Sequence, residues 1–453
     1  MNWVEIPSAA LGLAVISCIG RSVLSWLPPG EIGSHRTSEL PTTWAASYLL
    51  GSVAIAAGAS VAALSGSSVS CPWLAAAAAA LAVARWLTLP AGLVPRHEVL
   101  QESPGAAARA VFLLALGIGV FACASARIEA GVGLWAVRAQ AWLSQGWLIG
   151  FDGPASSRGA LELPPLDCGA IACVSWPFGI VSELAARAHL FACFIAALLL
   201  VERALVVARR APLGRRLFVL LLAVALAAAV NAEDGDLALA ALCALALLGL
   251  VSWTRRADAR GLALACIAWS ALPLVRPGGW AITMAGLGAT LAATARPSIR
   301  RALVWSLGCA LTLLALWPLA AWLRNVPFLR LDPMSALSSS WALGENLRVT
   351  TRVAPIWIAF GAAIGPAVLQ LIRPTPTGNA DLDAGNADRP RRDLVGLLMF
   401  ATMLAWCAIL LVLVADAPKL LLAKTWAPGL LVQTAPLAAI LAGRVLVRAE
   451  RAD

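Results

Sequence analysis

The feature that most limits what this chain can fold into is the series of apolar stretches that fills it. Runs of about 20 apolar residues, the length that carries a helix across the hydrocarbon of a bilayer, recur along the sequence with short polar gaps between them. In lipid the backbone has no water to bond to, so each run must satisfy its own N–H and C=O groups. Runs rich in Ala and Leu do this as helices. The chain is 60% hydrophobic and 13% charged, against about 25% charged in a soluble domain. The expected fold is all-α, a polytopic transmembrane helical bundle of about 13 spans. They fall near 7–27, 44–65, 72–94, 107–126, 184–203, 217–232, 237–253, 260–275, 278–294, 302–322, 353–372, 394–414 and 426–447.

The net charge of +10 sits in short Arg clusters between these runs. The clusters are Arg203/Arg209/Arg210/Arg215/Arg216, Arg255/Arg256/Arg260, Arg296/Arg300/Arg301, Arg373/Arg389/Arg391/Arg392 and Arg444/Arg448/Arg451. Two spans separate each cluster from the next, so all five fall on one side, which the positive-inside rule makes the cytoplasm. No basic face is long enough to follow a phosphate backbone, so no nucleic-acid partner is expected. The loops 127–183, 233–236, 276–277, 323–352 and 415–425 then face outward, and the loop 28–43 faces inward. Almost all basic residues are Arg; only Lys419 and Lys424 are Lys, a usage taken to point to a bacterium and hence to its cytoplasmic (inner) membrane.

Three regions are expected: an N-terminal three-helix membrane extension over 1–100, a membrane core over 101–322 and C-terminal membrane helices over 323–453. The core carries the extracytoplasmic loop 127–183. The last region holds a cytoplasmic linker at 374–393, rich in Pro, Gly, Asn and Asp. Within the long loop, 167–181 is apolar but too short to span, and it contains Pro177 and Gly179. It is predicted to be a re-entrant or interfacial helix. Glu5 stands where a leader would be basic, so no cleaved leader is expected. The ten Cys lie almost all in apolar runs, where they act as small apolar residues, and the three His are far apart. No metal site is predicted from them, and no cofactor is certain.

Ionisable residues near a bilayer are expensive unless they face water, a partner or a site, which narrows the candidates for chemistry. Glu129 stands just past a span, at the mouth of the long loop. Glu233, Asp234 and Asp236 crowd the turn before the span that begins at Leu237. Arg276 stands in Val275-Arg-Pro-Gly-Gly-Trp280 on the same face. A carboxylate at the membrane surface can serve as general base towards a hydroxyl. The acidic turn could hold a divalent cation or orient a leaving group, and an outward Arg could bind a lipid phosphate. Asp152, in Gly150-Phe-Asp-Gly153, and Trp135 are further substrate-binding candidates, Trp135 because an aromatic face can carry a sugar ring. Plainer roles stand beside these. Asp236 could cap a helix, Arg276 could anchor a turn, Glu129 could be solvated, and Trp135, Trp142 and Trp147 could be interfacial anchors.

The order of these features resembles the GT-C superfamily of polytopic glycosyltransferases, in particular the protein-mannosyltransferase and aminoarabinose-transferase-like branch. Glu129-Ala, Trp135, Ala139, Trp142-Leu143 and Gly146 are similar to the acidic first-loop motif. Pro164-Pro165-Leu166 matches a "PPL" motif, and Phe178-Gly179-Ile-Val-Ser182-Glu183-Leu-Ala-Ala186-Arg187 matches "FG-x-x-SE-x-x-AR". Arg209–Arg216 is similar to the Arg-rich turn, Asp236-Leu-Ala-Leu-Ala to the acidic turn, and Arg276-Pro277-Gly278-Gly279 to an "RPEG" turn. The chain departs from the pattern where Ile128 stands in place of a second acid, where Gly278 replaces the Glu, and where Ala427-Pro428-Gly429 lacks an Arg.

The resemblance covers about 107–294. It implies transfer of a sugar, with inversion, from a polyprenyl-phosphate-linked donor to a lipid, glycan or protein acceptor on the outer face. Glu129 and Asp236 would be the catalytic pair. The departures leave a catalytically inactive relative open, and a transporter or flippase of a lipid-linked substrate is the alternative from another class. The topology is directly testable. A reporter fused near Gly153 is expected to read extracytoplasmic and one near Gly385 cytoplasmic; the reverse result at Gly153 would overturn the placement of the long loop.

Overall fold

The computed structural model describes chiefly residues 5–28, 40–65, 106–125, 139–143, 165–176, 181–207, 236–256, 258–275 and 279–293, with scattered positions between them and as far as 319. Among these the chain is helical, with no strand. Eight helices follow in order: α1 (Glu5–Trp26), α2 (Leu40–Ser65), α3 (Ala106–Ser125), α4 (Pro165–Ser175), α5 (Glu183–Val207), α6 (Asp236–Arg256), α7 (Ala259–Ala271) and α8 (Gly279–Ala293). A 3-10 turn, Leu272–Leu274, extends α7. Three stretches, Glu5–Trp26, Leu40–Ala62 and Glu183–Val207, are long and apolar enough to cross a membrane, as expected for an α-helical membrane protein. The sequence predicts further spans at 353–372, 394–414 and 426–447. These, the linker 374–393 and most of the loop 127–164 lie outside the described residues.

Two antiparallel hairpins and one central helix organise the bundle. α1 packs on α2, α6 packs on α7, and α5 lies between α2 and α6. The helices of 5–65 and those of 165–275 share a single apolar core. What lets α1 and α2 approach so closely is missing side chains. A Cβ placed on Gly20 would fall 1.7 Å from the Ser47 carbonyl oxygen, and one on Gly51 would fall 1.9 Å from that of Ile16. Between apolar helices in lipid there is no hydrophobic drive to associate, so close backbone approach over small residues supplies the attraction. Gly249 and Gly261 play the same part reciprocally in the α6–α7 hairpin, each facing the other's carbonyl. Two buried serine hydroxyls donate back to carbonyls a turn earlier, Ser52 to Tyr48 and Ser60 to Ala56, so neither is left unpaired.

The ends of the bundle can be sorted from two contacts. Asp258 caps α7, accepting from the Arg260 backbone N–H. The Arg260 Nε in turn donates to the Pro28 carbonyl at 2.6 Å. Pro28 therefore lies at the end of the bundle where α6 turns into α7. Asp236 opens α6 at the opposite end, where α7 finishes at Val275 and α8 begins at Gly279. The loop 28–43 and the turns at 233–236 and 276–277 themselves lie almost wholly outside the described residues.

α4 is the exception among the helices. Its 11 residues reach about 16 Å at 1.5 Å per residue, about half the hydrocarbon thickness. All eleven are buried, against α1, α2 and α5. An interfacial helix keeps one face towards water or head groups; α4 leaves none. A helix that ends at membrane depth is tolerated where protein covers it. Pro165 starts it at the first helical position, where the missing N–H has no intrahelical partner to lose.

The glycine seam can be checked by overpacking. Gly20→Leu drives a side chain into the Ser47 backbone and should lower the unfolding free energy by about 1–3 kcal/mol or more in a detergent-denaturation assay. Gly117→Leu on α3, where an added Cβ meets nothing within 4 Å, should leave stability unchanged. Equal behaviour of the two variants would contradict the seam.

Candidate functional site

Three polar side chains from three helices meet inside the apolar core. Tyr48 comes from α2, His189 from α5 and Asp167 from α4, and they are 0%, 1% and 3% exposed. Tyr48 Oη lies 2.6 Å from His189 Nδ1. His189 Nε2 lies 2.9 Å from Asp167 Oδ1. The Cys193 thiol stands one turn along α5, about 4.0 Å from the imidazole. Trp44 stacks on Tyr48 with ring centroids 5.8 Å apart and walls that side.

Each partner is where the chain's local rules put it. Asp167 is the third residue of α4, where an acidic group meets the positive end of the helix dipole. His189 is six residues into α5. Tyr48 is eight residues into α2, roughly 12 Å along a helix about 39 Å long, so the cluster sits within the membrane-spanning length. With a neutral imidazole, the Tyr48 hydroxyl donates to Nδ1 and Nε2–H donates to the carboxylate. Asp167 Oδ2 is left buried without a hydrogen-bond partner. The cluster is closed to any substrate. It can join helices and hold protons, and it offers no nucleophile to a sugar or a lipid.

Around it, the segment that resembles "FG-x-x-SE-x-x-AR" has a local structural account. Gly179 takes a positive φ of 66°, a region that glycine enters without a Cβ penalty, and its N–H donates to the Trp176 carbonyl at 3.0 Å. Ser182 caps α5, its hydroxyl accepting from the Ala185 N–H at 3.1 Å. Glu183 and Arg187 form an i,i+4 ion pair on the surface of α5. Gln140 Oε1 accepts from the Val181 N–H at 2.8 Å and ties 139–143 to this corner. Trp142 is buried and packs over Gly169 of α4, where an added Cβ would lie 2.8 Å from its ring. It serves neither as an interfacial anchor nor as a sugar platform.

The residues singled out from the sequence are placed less fully. Asp236 is the first residue of α6. Glu129, Trp135, Asp152, Glu233, Asp234 and Arg276 lie outside the described residues. Asp236 and the corner between Val275 and Gly279 share one end of the α6–α7 hairpin. Among the described residues no three His, Cys, Asp or Glu side chains gather as a metal site. The Tyr48–His189–Asp167 cluster was not anticipated. Its signal was present: Tyr48 is the sole tyrosine of the chain, and His189 and Asp167 are ionisable residues in apolar runs. No family model matches the chain, and neither a curated protein nor a solved structure matches it.

The two bonds of the cluster should differ in weight. Tyr48→Phe removes a neutral partner and is expected to cost about 1–3 kcal/mol of stability. His189→Leu strips the partner from a buried carboxyl and should cost about 3–5 kcal/mol. Unfolding curves of the two variants test the ranking; no loss in either would remove the cluster from the account of stability.

Proposed function

We propose that the protein is an integral membrane glycosyltransferase of the bacterial inner membrane, organised like the GT-C enzymes. It moves a sugar from a polyprenyl-phosphate-linked donor to an extracytoplasmic lipid, glycan or protein acceptor. The observation that supports this reading is the common end of the α6–α7 hairpin. Asp236 opens α6 there, and α7 gives way there to the corner that holds Arg276. The acidic turn and the "RPEG"-like turn adjoin these two helix ends in sequence, which supports reading them together.

In this reading Glu129 takes the proton of an acceptor hydroxyl as general base. The hydroxyl oxygen bonds to the anomeric carbon from the side opposite the leaving group, and the carbon–oxygen bond to the lipid phosphate breaks. The polyprenyl phosphate leaves with the electron pair, and Arg276 meets the phosphate charge with paired hydrogen bonds. Asp236, with Glu233 and Asp234, orients the donor directly or through a divalent cation. Trp135 and Asp152 contact the sugar.

A second reading, a carrier or flippase of a lipid-linked substrate, draws on the ionisable cluster inside the spanning part and on the broken helix α4 beside it. Reconstitution separates the two. In proteoliposomes charged with polyprenyl-phosphate sugars and acceptor, the wild type should release polyprenyl phosphate, and Glu129→Gln should slow release at least about a hundredfold while inserting normally. Undiminished release by Glu129→Gln would remove Glu129 as the base. Translocation of the lipid-linked sugar without cleavage would favour the carrier.

A further inference from the structure

Asp167 carries a carboxyl oxygen, Oδ2, that is buried with no partner, in a side chain only 5% exposed. Its other oxygen is taken by His189, whose far nitrogen is taken by Tyr48. The titratable groups that meet His189 are Asp167 from α4, Tyr48 from α2 and Cys193 from α5. Cys123 of α3 approaches Cys193. Arg21 of α1 forms no ion pair with Asp167. Among the described residues the ion-pair partner of Asp167 is His189, which balances it only when protonated. An ionised carboxylate beside a neutral imidazole would leave one net negative charge in a sealed apolar core, the arrangement that low dielectric penalises most. One added proton removes it, whether it rests on Asp167 Oδ2 or on the imidazole.

We propose that Asp167 and His189 form a proton-binding site in the middle of the bundle, and that the bound proton holds α4 in its seat. A proton arriving from water turns the net-negative pair neutral, and its departure restores the charge; no electron moves. Because the pair bridges α4 to α5, and Tyr48 continues the bridge to α2, an unprotonated pair is relieved when α4 shifts and lets water reach Asp167. The Nε2–Oδ1 hydrogen bond of 2.9 Å joins the two groups, so either can carry the proton. The proton site stands whether the protein transfers sugars or carries them.

The full chain in lipid nanodiscs tests this with two readouts. Infrared spectra and 15N spectra of histidine-labelled protein report the pair directly, with Asp167→Asn and His189→Gln assigning the signals. At neutral pH there should be either a protonated-carboxyl band that Asp167→Asn abolishes or an imidazolium signal from His189. A neutral His189 with no such carboxyl band overturns the site. Cys168 and Cys173, buried on α4, report the seat, and Cys18, exposed on α1, is the internal reference. As the pH is raised, labelling of the α4 cysteines by a small membrane-permeant maleimide should accelerate about tenfold relative to Cys18 in the wild type, as local opening permits. It should not do so in Asp167→Asn, which has no proton to lose. A ratio constant in the wild type, or one that rises equally in the variant, overturns the lock. Should Asp167→Asn fail to fold, Tyr48→Phe keeps both titrating groups and must retain the spectroscopic signal of the proton; its loss there also counts against the site.

Discussion

A carboxyl group that folds into an apolar bundle must find partners, and much of this structure follows from how Asp167 finds them. It stands on a helix half the length of a span, and its ligand is the one histidine of α5, which in turn holds the one tyrosine of the chain. The chain of bonds ties α4 to α5 and α5 to α2. α4 has no exposed face, so its seat must be shaped as closely as a core position. Gly12 of α1 supplies part of that shape, since a Cβ there would lie 2.4 Å from the Val174 Cα. Gly169 supplies another part, leaving room for Trp142 and Ile55.

The same economy governs the larger helix pairs. Apolar helices in lipid gain little from burying more apolar surface, so the hairpins α1–α2 and α6–α7 close over glycines that let backbones touch. Larger side chains do their packing where such seams end. Phe194 fills the space over Gly119, and the Trp269 ring covers Gly286 while its carbonyl accepts from the Thr283 hydroxyl at 2.6 Å. Several buried hydroxyls, those of Ser22, Ser52, Ser60 and Thr290, are satisfied by a carbonyl one turn earlier, which keeps them compatible with a membrane. The Asp167 cluster differs because its bonds join side chains of three helices, the longest linking residues 141 apart in sequence.

That distance explains which parts were legible in the sequence. The helices themselves were, because an apolar run of 20 residues bounded by Arg or Gly-Pro corners carries its own address. The shortness of 167–181 marked it as something other than a span, and it appears as α4 over 165–175. The motif at Phe178–Arg187 was recognisable as a unit, yet its local work, a left-handed glycine, a serine cap and an i,i+4 pair, is what any helix start uses. The pairing of Tyr48 with His189 was not legible, since nothing in a linear pattern says which helices become neighbours. Trp142 was read as a surface aromatic for the same reason; its burial depends on Gly169, which lies 27 positions further on. Glu129 and Arg276 are located by the sequence alone, and Asp236 by the sequence and by its place at the start of α6.

The account turns on α4 being folded back among α1, α2 and α5 rather than lying along the membrane surface, and a cross-link measures this most directly. With the native cysteines replaced, a protease site inserted between α2 and α4, and Ile55→Cys combined with Gly169→Cys, mild oxidation in the membrane should join α2 to α4. The two proteolytic fragments should then stay together until a reductant is added. Fragments that separate before reduction would place α4 outside the bundle and contradict the account.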